Sequence, residues 1–162
     1  MKFSHFSKDK TLTLNKLIFN YKNNIKNFKP NGFWFSFKNL WYTQILVDMK
    51  EPNEKIYKYI ADIDMKNIFI LTEKNVKKFF TKYQIKLSDT YVVNWKKFIK
   101  NYPKCKGVFL NFNPHNTIFA RQGTDSINIE PYILWLSIWD ISSLCLFDKS
   151  AIINFIKVPF RN

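Results

Sequence analysis

The chemistry open to this 162-residue chain rests on a few residues. His5, in Ser4-His5-Phe6-Ser7, offers an imidazole that can exchange hydrogen bonds with a ligand hydroxyl; an ordinary strand histidine is the plain alternative. Cys105 and Cys145 are too few for a disulfide scaffold or a thiolate zinc site. His5 and His115 lie far apart with no cysteine or carboxylate cluster at ligand spacing, so no metal is expected. A cysteine hydrolase using Cys145 with His5 or His115 would need an activated thiolate, and nothing local to Cys145 supplies one. Two carboxylates stand out. Glu130 precedes Pro131, where a strand end would face a cleft. Asp140 closes the apolar run of residues 132–141, a setting that shifts a carboxylate pKa, although structural pairing does so as often.

These groups need a platform, and the richest stretch for one is Lys29-Pro30-Asn31-Gly32-Phe33-Trp34-Phe35-Ser36-Phe37-Lys38-Asn39-Leu40-Trp41-Tyr42. Pro30 fixes φ and Gly32 permits positive φ, which predicts a turn. Phe33 to Phe37 suits a buried strand. Asn39 can cap a helix that starts at Leu40 and buries Leu40, Trp41, Ile45 and Met49. The same residues also read simply as a core strand and a core helix.

Further elements follow along the chain. Residues 1–6 alternate as a first strand, and a weak helical pattern starts at Leu14. Residues 56–64 and 68–71 read as strands, and Thr72 as the N-cap of a helix burying Val76, Phe79, Phe80 and Tyr83, with Lys74, Lys77, Lys78 and Lys82 solvated. Trp95, Phe98, Ile99 and Tyr102 repeat the pattern in a helix opened near Asn94 and ended by Pro103. Residues 107–112 and 144–147 read as strands. Asp148 can cap a short helix through Phe155, and residues 158–162 form an edge or extension. Strands and amphipathic helices in this order predict an α+β fold: a bent, mostly antiparallel central sheet with helices packed outside.

Composition sets the bounds. The chain is 46% hydrophobic and 19% aromatic, enough to fill the core of one domain spanning residues 1–162. No apolar run reaches membrane-spanning length, and no basic-then-apolar leader opens the chain, so no membrane partner and a cytoplasmic location are expected. The formal charge of +14 favours an acidic protein or nucleic acid as partner. Its weight is reduced by the letters that carry it. Lys, Asn, Ile, Phe and Tyr abound while Ala, Gly and Arg are scarce, as an AT-rich genome of a virus, mobile element or parasite would write. Arg, the residue of bidentate phosphate and guanine contacts, occurs only at 121 and 161.

Taken together, His5-Phe6-Ser7, the later Lys-Pro-x-Gly-aromatic-Trp-aromatic-Ser stretch, and Tyr57-Lys58-Tyr59-Ile60-Ala61-Asp62-Ile63-Asp64 followed by Ile68-Phe69-Ile70-Leu71 resemble small members of the ADP-ribosyltransferase-like superfamily, in its His-Tyr-Glu branch. The resemblance spans most of the chain on short motifs. It implies NAD as substrate: His5, assisted by Ser7, would hold a ribose hydroxyl. Trp34, Trp41 or Tyr42 would stack on nicotinamide, beside Ser36 on the Gly-aromatic strand. It also implies a late-strand acid. The strand expected to bear it, residues 107–112, has no carboxylate, which leaves Glu130 and Asp140 as substitutes. Without such an acid the domain would be an interaction module that binds without transferring. A basic domain for RNA or single strands, with Trp and Phe stacking among lysines, is the further alternative.

Overall fold

The computed structural model describes residues 1–17, 29–42, 55–114, 130–137, 139 and 141–160. The fold is mixed α+β, built on a mostly antiparallel seven-stranded sheet. Its strands are β1 (Lys2–Ser7), β2 (Phe33–Phe37), β3 (Tyr57–Ile63), β4 (Ile68–Leu71), β7 (Gly107–Leu110), β8 (Ser143–Leu146) and β9 (Ile152–Val158); β5 (Gln84–Leu87) and β6 (Thr90–Val93) form a separate hairpin. The order across the large sheet is β4-β7-β8-β2-β1-β3-β9. Among the described strands only β4 and β7 run parallel, as expected for strands joined by a long crossover. That crossover carries helix α1 (Val76–Tyr83), the hairpin, and helix α2 (Trp95–Asn101); helix α3 (Pro131–Ser137) precedes β8.

Two cores result from strand alternation. On one side of the sheet, α1, α2 and α3 bury Phe79, Phe80, Trp95, Phe98, Trp135 and Trp139 against Val108 and Cys145. On the other side, Phe3, Phe35, Ala61, Phe109, Leu144 and Leu146 are covered by Leu17, with Leu12 and Leu14 packed at its margin. The N-terminal cover is tied down by Tyr59, whose hydroxyl donates to the Asp9 carbonyl at 2.7 Å and accepts from the Leu12 N–H at 3.2 Å. Helices α1, α2 and α3 therefore pack on one face of the sheet, and among the described residues the segment bearing Leu12, Leu14 and Leu17 packs on the other.

Several expectations shift. The helical pattern at Leu14 is a single 3-10 turn, Leu14–Lys16. The apolar run after Glu130 is helix α3, so Glu130 stands at a helix start and not at a strand end. Asp148 caps only the 3-10 turn Lys149–Ala151, and the chain then enters β9, where β-branched Ile152 and Ile153 favour a strand. Helix α1 starts three residues later than Thr72 predicts. The Asn75 side chain accepts from the Thr72 N–H at 2.8 Å and donates to the Ile70 carbonyl at 2.9 Å, holding residues 72–75 in a turn. The predicted helix does begin at Leu40, but Leu40 and Trp41 are only half-buried, and Ile45 and Met49 lie outside the described residues.

Candidate functional site

The site begins where β1 and β2 part. Their register runs Phe3 to Phe37 and Ser4 to Ser36 and then stops, whereas β1 stays paired with β3 as far as Ser7 opposite Tyr57. At the first residue past this register, the His5 ring reaches across and places Nδ1 3.0 Å from the Trp34 carbonyl oxygen. A carbonyl only accepts, so Nδ1 carries the proton and Nε2 keeps its lone pair. Burial outweighs that hydrogen bond and lowers the His5 pKa from 6.5 to about 4, so the ring is neutral at ordinary pH. Its walls are aromatic: Phe33 at 4.4 Å, Phe35 at 6.0 Å and Trp41 at 6.2 Å between ring centroids. The result is a neutral acceptor nitrogen among flat apolar faces, suited to a hydroxyl next to an aromatic ring.

The other predicted site residues are placed differently. Trp34 points to the opposite side of the sheet from Phe33 and Phe35, into the helix-covered core, edge-on to Trp139 at 5.2 Å. It therefore does not share a face with His5. Ser36 is fully buried, and its hydroxyl is shared between the Ser4 and Lys38 carbonyls, each at 3.3 Å. Those contacts steady the β2 end, where Lys38 adopts φ 56°. The Ser7 hydroxyl accepts from the Asp9 N–H at 3.0 Å and shapes the turn after β1. Tyr42 stacks on Phe6 at 5.6 Å and meets Phe160 edge-on at 4.6 Å. Of the proposed stacking residues, Trp41 is the one in ring contact with His5.

Glu130 lines a cleft of about 270 Å³ on the helical side, with Lys77, Tyr91 and Tyr132. Its carboxylate is 2.7 Å from the Lys77 ammonium, which that bond holds above the usual lysine value. Asp140 and His115 lie outside the described residues. Strand β7 is buried along its whole length and bears no carboxylate. Burial pushes the thiols of Cys105 and, further, Cys145 up, and Cys145 is fully enclosed, which removes the setting a thiolate nucleophile needs. Among the described residues no group of three or more His, Cys, Asp or Glu is placed to hold a metal ion, and no helix is long and apolar enough to cross a membrane.

Sequence reasoning missed Phe33 and Phe35 as walls for His5, since that contact exists only through the β1–β2 register. No protein-family model, curated protein or solved structure matches the chain.

Proposed function

We propose that the chain is an ADP-ribosyltransferase-like protein that binds NAD at the parting of β1 and β2 and transfers ADP-ribose to a protein or nucleic-acid acceptor. The observation that carries this reading is the neutral His5, at the end of the β1–β2 register and walled by Phe33, Phe35 and Trp41. The sheet order, with β1 and β2 central and parted beyond Ser4, supports the ADP-ribosyltransferase-like form of the α+β fold.

In this reading Nε2 of His5 accepts from a ribose hydroxyl, and the nicotinamide ring lies on Trp41 or Phe33. A flat π face suits that cationic ring. The bond from ribose C1′ to the nicotinamide nitrogen breaks with its electron pair going to the ring, which leaves as neutral nicotinamide. An acceptor nucleophile closes on C1′ and releases its proton. A carboxylate near the oxocarbenium-like transition state lowers its energy. Of the two candidate acids, Glu130 is already paired with Lys77 on the helical side of the sheet, and Asp140 lies outside the described residues. A binding module that does not transfer is the second reading, favoured by the buried, carboxylate-free β7.

Calorimetry with NAD tests the pocket. Wild type should bind saturably, and His5→Ala and Trp41→Ala should each weaken binding about tenfold, the scale of one lost hydrogen bond or ring contact. Ser36→Ala should leave affinity unchanged once folding is verified. A folded wild type that does not bind NAD sinks the reading. Nicotinamide release from labelled NAD then separates transferase from binding module.

A further inference from the structure

Beside the His5 site lies a cleft of about 470 Å³ at the shared end of β3 and β9, lined by Lys55, Ile56, Tyr57, Lys157 and the 158–160 segment that ends at Phe160. Cations and rings interleave there. The Lys157 ammonium stands 5.0 Å from the Tyr57 ring centroid and that of Lys58 5.9 Å from Phe160. Lys157 also donates to the Lys10 carbonyl at 3.3 Å, which brings the loop after β1 to the same edge. The carboxylate of neighbouring Asp9 accepts from the Thr11 N–H and hydroxyl and pairs with Lys16, and no carboxylate is among the described residues that line the cleft.

We propose that this cleft binds single-stranded nucleic acid, with Tyr57 and Phe160 as base-stacking faces and Lys55 and Lys157 on the phosphates. Alternating rings and ammonium groups are what a strand without fixed sequence requires, because every base has a π face and every linkage a charge. The AT-biased wording of the chain explains how many lysines there are; it does not explain why Lys157 and Lys58 stand over the two rings, Tyr57 and Phe160, that line this cleft. Unstacked bases could displace the lysines from the rings and leave them to the phosphates. A bound strand would also lie close to the proposed NAD pocket, since Tyr59, two residues along β3 from Tyr57, is the register partner of His5. As acceptor, the strand rests on the reading above; its binding does not.

The test is fluorescence anisotropy of a labelled oligouridylate without NAD. Lys55→Glu/Lys157→Glu should weaken binding at least tenfold and reduce the slope of log affinity against log salt by about 1.4, two phosphate contacts at about 0.7 each. Lys74→Glu/Lys78→Glu, with the same charge change on the exposed face near α1, should weaken it less than threefold. Phe160→Ala should cost about tenfold with the salt slope unchanged, as loss of one stacked base would. Equal losses in the two lysine pairs, no binding at low salt, or equal affinity for polyglutamate would overturn the proposal. NAD calorimetry on the same variants keeps the two readings apart, because each can fail while the other stands.

Discussion

His5 donates Nδ1–H to a backbone carbonyl at 3.0 Å and is held neutral by burial. The folded pKa of about 4 lies below the ordinary 6.5. Its contribution to stability is therefore complete above pH 6.5 and is lost as pH falls from 6.5 toward 4. A shift of that size corresponds to roughly 3 kcal/mol across the window. Chemical denaturation at pH 7 and pH 4.5 should show the drop in wild type, and His5→Phe should remove most of it. Equal pH dependence in both proteins would mean that other groups set the acid limit. The same titration bears on binding. Protonation takes the lone pair of Nε2, so NAD affinity should stay flat from pH 8 to about pH 5 and fall only as the pKa of about 4 is approached.

At the scale of elements, the turn before β2 is fixed by closeness. Sequence reasoning gives Gly32 the role of permitting positive φ, but its φ is not in the left-handed region. A Cβ there would instead overlap the Leu146 carbonyl and Cys145 Sγ, and Cys145 Sγ also meets the Pro30 carbonyl at 3.5 Å. The Pro-Asn-Gly turn thus lies directly on β8, and backbone cannot move aside as a flexible side chain would. Gly32→Ala should cost about 2–3 kcal/mol, with loss of NAD binding if β2 shifts; thermal unfolding that matches wild type would show that β8 yields. Much of this level was legible. Phe33 to Phe37, Ile68 to Leu71 and the helix opened at Asn94 follow their patterns, and the Asn94 side chain does accept from the Lys97 N–H at 2.9 Å. Other parts depend on distant partners. Trp34 and Phe33 differ by one position, and alternation sends them to opposite faces of the sheet, a distinction that a motif of consecutive aromatics does not carry. The β5–β6 hairpin turns through Ser88 at φ 54° with no glycine to announce it.

At the scale of the molecule, charge acts where individual contacts do not. With 26 basic side chains against 12 carboxylates, the excess remains whatever ion pairs form. Self-repulsion among like charges opposes the compact state and is screened by salt, with a Debye length of about 30 Å at 10 mM and about 8 Å at 150 mM. The aromatic cores on the two faces of the sheet are indifferent to that screening, since their stability comes from apolar burial. Raising sodium chloride from 10 to 150 mM should therefore raise the melting temperature of ligand-free protein by about 3 °C, equivalent to roughly 1 kcal/mol in a domain of this size. The opposite response is expected with oligouridylate present. There the strand supplies the screening at low salt, and added salt strips it off, so the stabilisation by the strand should shrink as salt rises. Differential scanning fluorimetry of nucleic-acid-free protein across that salt range, with and without the strand, reads both responses. Parallel curves would mean that the charge excess is only solvated surface. Convergence of the two curves toward high salt would mean that the excess is organised around an anionic polymer.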